Sequence, residues 1–115
     1  MADCIFCRIA AGEVPATIVA RNADALAFQD LNPQAPTHLL VIPTRHLSGL
    51  ADTDTEEGER IVGQTVRLAV QVAKSLGLTD AGYRLVMNQG KDGGQSVFHL
   101  HAHVLGGRRM GWPPG

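Results

Sequence analysis

The chain has 115 residues, 44% hydrophobic and 18% charged, with a formal net charge of −1. That length is one domain's worth of chain, and the near-neutral charge lacks the basic footprint of a nucleic-acid binder. No apolar run is long enough to span a membrane, and the start Met1-Ala2-Asp3-Cys4 has neither the basic nor the apolar region of a secretory signal, so the expected location is the cytoplasm.

In chain order, Cys4–Ala11 reads as a short helical turn, with Ile5, Phe6 and Ile9 at helical spacing and Gly12 and Pro15 ending it. Thr17–Ala20 and Ala25–Gln29 read as two strands joined by the turn Arg21-Asn22-Ala23-Asp24. Asp30–Pro36 is a loop, because Pro33 and Pro36 forbid regular pairing. His38–Ile42 is a nearly continuous apolar run, the pattern of a buried central strand, closed by Pro43. Thr53-Asp54-Thr55-Glu56 has the spacing of a capping box and predicts a long helix with Thr53 as N-cap. Ile61, Val62, Thr65, Val66, Ala69, Val72, Ala73 and Leu76 would form its buried face, and Gly77 stands where a left-handed C-terminal cap belongs. Tyr83–Met87 and Val97–Leu105 read as further strands around a glycine-rich loop, Asn88–Ser96. Helical turn, strands, long helix, strands is an α+β order with an antiparallel sheet.

Histidine is the unusual entry in the composition: five in all, three of them within five positions. In an extended strand, His99, His101 and His103 share one face, and Leu100, Ala102 and Val104 the other. Three aligned imidazoles can bind a metal, yet side chains two apart diverge with strand twist, so one ion rarely takes all three. They can also act on phosphorus: a neutral imidazole attacks through its free lone pair, and the phosphorus–nitrogen bond so formed is open to water. The Gly93-Gly94-Gln95-Ser96 stretch beside them favours the second chemistry, because such a loop can cradle an anion.

Cys4-Ile5-Phe6-Cys7 has the spacing of half a zinc site, and His46 and His99 are candidates for the other two ligands. The rival is a redox pair, which normally follows a strand in a larger α/β setting, whereas only three residues precede Cys4.

His99-Leu100-His101-Ala102-His103-Val104-Leu105 resembles the His-φ-His-φ-His-φ-φ signature (φ apolar) of the histidine triad, or HIT, superfamily. Asp30-Leu31, Pro33–His38, Val41–Pro43, His46, Asn88, Asp92–Val97, Gly106–Arg108 and the ending Met110–Gly115 resemble its histidine triad nucleotide-binding branch, bacterial type, over nearly the whole chain. The resemblance implies a single HIT domain over 1–115: an antiparallel sheet of about five strands, one long helix and a short N-terminal helix. It also implies a homodimer with a continuous sheet, which would supply buried apolar area to a chain with only five aromatic residues. For chemistry it implies a purine nucleoside phosphoramidase acting on AMP derivatives, with no catalytic metal. His101 would be the nucleophile, His103 its phosphate-binding neighbour, Ser96 the leaving-group serine and His38 a further relay member. Asp30 would hold the ribose and Asn88 the phosphate or ribose, while Gly94, Gln95 and Ser96 would donate to phosphate oxygens. Leu31, Phe6 and Ile18 would form the base slot. Cys4, Cys7, His46 and His99 would hold a structural zinc. A dinucleoside polyphosphate hydrolase and a non-catalytic nucleotide sensor or scaffold are the competing readings. Gly111 departs from the histidine that animal members carry before the tail tryptophan, which bears on leaving-group preference.

Overall fold

In the computed structural model, which describes residues 3–115, eight elements follow one another along the chain. Helix α1 (Ile5–Ala10) begins at Cys4, whose sulfur accepts from the Cys7 N–H at 3.4 Å. Strands β1 (Ile18–Arg21) and β2 (Ala25–Gln29) form a hairpin held by Asn22. The Asn22 carboxamide oxygen accepts from the N–H groups of Asp24 and Ala25 at 2.8 and 2.7 Å, closing the turn locally. Then come β3 (Thr37–Pro43), a 3-10 turn (Leu50–Thr53), α2 (Glu56–Ser75), β4 (Tyr83–Val86) and β5 (Ala102–Gly106). All pairings are antiparallel, in the order β1-β2-β3-β5-β4. This is the expected α+β architecture. No helix among the described residues is long and apolar enough to cross a membrane.

Period-two alternation sends successive strand residues to opposite sides. Ala25, Ala27, Leu39, Val41, Ala102 and Val104 pack on one face against Leu68, Ala69, Val72 and Ala73 of α2. Leu26, Phe28, Leu40 and Ile42 pack on the other against Phe6 and Ile9 of α1. Small residues dominate the α2 side, which lets the helix lie close to the sheet.

Three expectations need correction. The N-cap of α2 is Thr55, not Thr53; its hydroxyl accepts from the Gly58 N–H at 2.8 Å. Thr53 instead donates its hydroxyl to the Leu50 carbonyl at 2.6 Å and closes the 3-10 turn. The third helical position is therefore Gly58 rather than Glu56, and a Cβ there would stand 2.5 Å from the Thr53 Cα. The buried face of α2 is also rotated: Leu68 is buried, whereas Leu76 is half exposed. At the other end Gly77 (φ +74°) caps as expected, with Gly77 and Leu78 N–H donating to the Lys74 and Ala73 carbonyls.

The third correction is the last strand, which starts at Ala102 rather than Val97. Pairing with β3 stops at Val41–Ala102; in the same register Ile42 would face His101, and Pro43, which has no N–H, would face Leu100. The chain departs there: the Leu100 N–H donates to the Leu47 carbonyl at 2.7 Å, and the His99 ring, not a backbone group, takes the Pro43 carbonyl. His101 and His103 still face the same side, with ring centroids 5.0 Å apart, but His99 turns away to a different neighbourhood.

Candidate active site and metal centre

Between α1 and the sheet lies a cavity of about 290 Å³. Phe6, Ile9, Phe28 and Leu40 give it apolar walls, and His101, His103, Ser96, Asp30 and Leu31 also line it. Leu31 is almost wholly exposed there. Phe6 makes edge contacts with Phe28 and His101 at centroid distances of 5.6 and 5.2 Å, so α1 is both wall and support. Of the expected slot residues, Phe6 and Leu31 line the cavity and Ile18 does not. Ile9, Pro15, Ala16 and Phe28 were not anticipated as walls. Phe28 and Leu40 could have been found, since they alternate with residues of the α2 face on β2 and β3.

Backbone partners fix which nitrogen of each imidazole carries hydrogen. The His101 Nδ1–H donates to the His99 carbonyl at 2.8 Å, so its Nε2 keeps the lone pair. The Gln34 N–H donates to His38 Nδ1 at 3.0 Å, so the hydrogen of neutral His38 is on Nε2. That Nε2–H donates to His103 Nδ1 at 2.9 Å, with the Asp30 Oδ2 at 3.3 Å. His103 Nδ1 therefore accepts, and its Nε2 carries the remaining hydrogen. Burial, with the neighbouring His101 and His38 adding to it, pushes the His103 pKa down to about 4. The Gln34 N–H, His38 and His103 thus form a directed line beside Asp30, with the His101 ring packed against His103: His101 is left as a lone-pair donor and His103 as a hydrogen donor.

The glycine-rich loop is arranged differently from expectation. The N–H groups of Gly94 and Gln95 donate to the Lys91 and Gly90 carbonyls, within the loop itself. Gln95 is buried, and its carboxamide is fully used. It accepts from the Gly90 N–H at 2.8 Å and donates to the Ser48 and Val97 carbonyls at 2.7 and 3.1 Å. Gly93 lets the turn close, since a Cβ there would lie 2.4 Å from the Gln89 carbonyl oxygen. A second stitch joins the Gln89 carboxamide oxygen to the Ala51 N–H at 2.9 Å. Gln95 thereby ties the loop to the 47–51 segment. Ser96 is the residue of the loop that lines the cavity. Asn88 follows β4 and does not line it.

On the far side of His99, four side chains converge. Cys4 Sγ and Cys7 Sγ lie 3.3 and 3.5 Å from His99 Nδ1, Cys7 Sγ is 3.3 Å from His46 Nδ1, and the two Nδ1 atoms are 3.2 Å apart. A tetrahedral zinc with ordinary bond lengths sets nitrogen–nitrogen edges of about 3.3 Å and sulfur–nitrogen edges of about 3.5 Å. The set therefore fits structural zinc without rearrangement. Its chemistry agrees. The His99 Nε2–H donates to the Pro43 carbonyl at 2.8 Å, leaving the Nδ1 lone pair for the metal. Burial pushes the His99 pKa down to about 4, so the ring stays neutral. Burial, then Cys4, pushes the Cys7 thiol above its ordinary value, and a cation would reverse that penalty on two adjacent thiolates. All four anticipated ligands, the cysteine pair and the two candidate histidines, come together.

Comparison with known proteins follows the same lines. A family model for the HIT domain matches residues 11–110. The chain belongs to the HIT family. This HIT protein is 50% identical over 113 residues to a 14 kDa zinc-binding protein of Zea mays, covering 96% of this chain and 87% of that one. A HIT family hydrolase from Legionella pneumophila superposes with a TM-score of 0.94 at 47% identity, over 98% of this chain and all of that one. A histidine triad nucleotide-binding protein from Candida albicans superposes with a TM-score of 0.79 at 28% identity, over 96% and 83% of the two chains.

Proposed function

We propose that this HIT protein is a metal-independent purine nucleoside phosphoramidase. It would hydrolyse a nucleoside 5′-phosphoramidate to the nucleoside monophosphate and an amine. The observation that carries the reading is the pair of tautomers in the cavity lining: His101 with a free Nε2 lone pair, His103 with a hydrogen on Nε2. The hydrolase and nucleotide-binding descriptions of the structural relatives support the same class.

In the proposed reaction the base lies in the apolar cavity against Phe6, Phe28 and Leu31, and Asp30 takes the ribose hydroxyls. His103 donates to a phosphate oxygen. His101 Nε2 attacks phosphorus, a P–N bond to the ring forms and the P–N bond to the amine breaks. The amine leaves with a proton supplied by the His103–Ser96 side of the site. The ring becomes an imidazolium whose Nδ1–H is already held by the His99 carbonyl, so no reorientation is needed. Water then attacks phosphorus, the bond to His101 breaks, and the water's proton restores the acid. The zinc has no step in this scheme. It would hold α1, and so Phe6, against the sheet.

The edge position of β4 and the exposed Val70 on α2 support the further reading that two copies pair through these elements into a homodimer. The test of activity is a comparison of kcat/KM on an adenosine phosphoramidate and on a diadenosine polyphosphate. The reading expects the amidate to be preferred and His101→Ala to abolish turnover while AMP still binds. Preference for the polyphosphate, or full activity in His101→Ala, overturns it.

A further inference from the structure

Strand β5 ends at Gly106, and Gly107 (φ +89°) turns the chain to Arg108. The Arg108 side chain is exposed, yet it makes no ion pair among the described residues. It is spent on backbone instead. Its Nε–H and Nη2–H donate to the Gln34 carbonyl at 3.1 and 3.0 Å, and its Nη1–H donates to the Arg109 carbonyl at 3.1 Å. A rigid fork on one carbonyl fixes the orientation of a peptide as well as its distance. Beside it Gly107 packs on the same loop: a Cβ there would stand 2.8 Å from the Pro36 Cβ. These two contacts pin the loop Asp30–Pro36 from outside the cavity. Within the loop, Asp30 Oδ1 accepts from the Asn32 N–H at 2.8 Å, and the Gln34 Nε2–H donates to the Asn32 carbonyl at 3.0 Å.

Both groups that set the hydrogen of His38 belong to this loop. The Gln34 N–H donates to Nδ1 at 3.0 Å, and Asp30 Oδ2 stands 3.3 Å from Nε2. Were the hydrogen on Nδ1, the Gln34 N–H would meet a hydrogen and the carboxylate would meet a lone pair. The relay would also run the other way. The His103 Nδ1–H would donate to His38 Nε2, and His103 Nε2 would keep a lone pair where a phosphate oxygen needs a donor. We propose that Arg108 is a positioning residue of the reaction: by orienting Gln34 it keeps His103 Nε2 a hydrogen donor. Arg108 does not line the cavity and acts through the Gln34 backbone and His38. The catalytic consequence rests on the phosphoramidase reading, whereas the placement of the hydrogen does not.

The test reads the ring nitrogens of His103 by NMR at neutral pH, in the full chain with isotope-labelled histidine. A nitrogen bearing hydrogen and one bearing a lone pair give well-separated signals. The parent should show the hydrogen on Nε2 and the lone pair on Nδ1. In Arg108→Ala the two signals should move toward each other as the reversed relay becomes populated. On an adenosine phosphoramidate, kcat should fall about fivefold with KM within about twofold, the scale of one lost exposed hydrogen-bonded contact. Arg108→Lys, which reaches the same carbonyl with a single donor, should recover part of both effects. Arg109→Ala removes the same charge from the adjacent position and should change neither. Unchanged His103 signals in Arg108→Ala overturn the proposal whatever happens to kcat, and unchanged kcat overturns it as well. An equal effect of Arg109→Ala also overturns it, because charge alone would then account for the loss. If the parent hydrolyses no amidate, the phosphoramidase reading fails, and the His103 signals alone decide whether Arg108 sets the hydrogen.

Discussion

The two faces of this sheet are built from alternate residues of the same strands, yet they are held by different physics. On the α2 face, Leu39, Val41, Ala102 and Val104 meet Leu68, Ala69 and Val72 in apolar contact, with Arg60 of α2 paired to Asp24 only at the exposed margin. On the α1 face, His38 and His103 leave those same strands to join Asp30, the glycine-rich loop and a helix of six residues. A helix that short is not stable by itself. It stays because Phe6 and Ile9 are buried and because Cys4 and Cys7 converge with His46 and His99. One face stabilises the molecule by area; the other depends on a few directed contacts, and the catalytic groups sit on the second.

That contrast can be broken from either side. The largest effect is expected from the metal centre. Purified without chelator, the protein should carry close to one zinc per chain. Its removal, or Cys4→Ser with Cys7→Ser, should lower the melting temperature by about 10 °C or more, because metal binding energy becomes folding energy. It should also weaken AMP binding through Phe6. Less than about one-tenth equivalent of zinc would remove the claim. Leu68→Ala, on the opposite face, should cost about 2–5 kcal/mol by denaturant unfolding. It should leave the AMP dissociation constant unchanged, and a parallel loss of binding would show that the faces are not separable.

A smaller effect concerns His103. Its folded pKa of about 4 lies below the ordinary 6.5, so between these values the unfolded chain binds more protons than the folded one. Its neutral state therefore penalises folding progressively as pH falls from about 6.5 toward 4 and adds nothing above. The pH dependence of unfolding in the parent and in His103→Asn, zinc ligands being common to both, should differ in this window, with the parent steeper. Equal slopes would place the ring in a less buried setting. The smallest effect is expected from Gln95→Ala. The carboxamide joins the loop to Ser48, so AMP affinity should fall about tenfold while adenosine affinity stays within twofold. Loss on both would assign Gln95 to general stability instead.

The α2 face was legible from the sequence because hydrophobic periodicity is local. Where it misled, a competing local interaction had won: Thr53 was already engaged with Leu50, which passed the cap to Thr55. The triad and the cysteine pair were legible from spacing and His46 and His99 as ligands from the resemblance, although His99 leaves the strand and its ring takes the Pro43 carbonyl. The use of the loop's own N–H groups and of Gln95 was not legible. The Gln95 bond to Ser48 depends on where the 47–51 segment lies, which no local pattern encodes. The walls Ile9, Pro15 and Ala16 were missed for the same reason, since they come from a helix and a connector whose position is set by distant contacts.

The central claim is that His101 Nε2 forms a covalent bond to phosphorus. Its most direct test is to mix the protein with an adenosine phosphoramidate, quench the first turnovers in base, where a phosphorus–nitrogen bond survives, and map the adduct by mass spectrometry. The account predicts one nucleotidyl group on the peptide containing His101, absent in His101→Ala. Product formation with an adduct on His103 instead, or with no adduct and full turnover in His101→Ala, would contradict it.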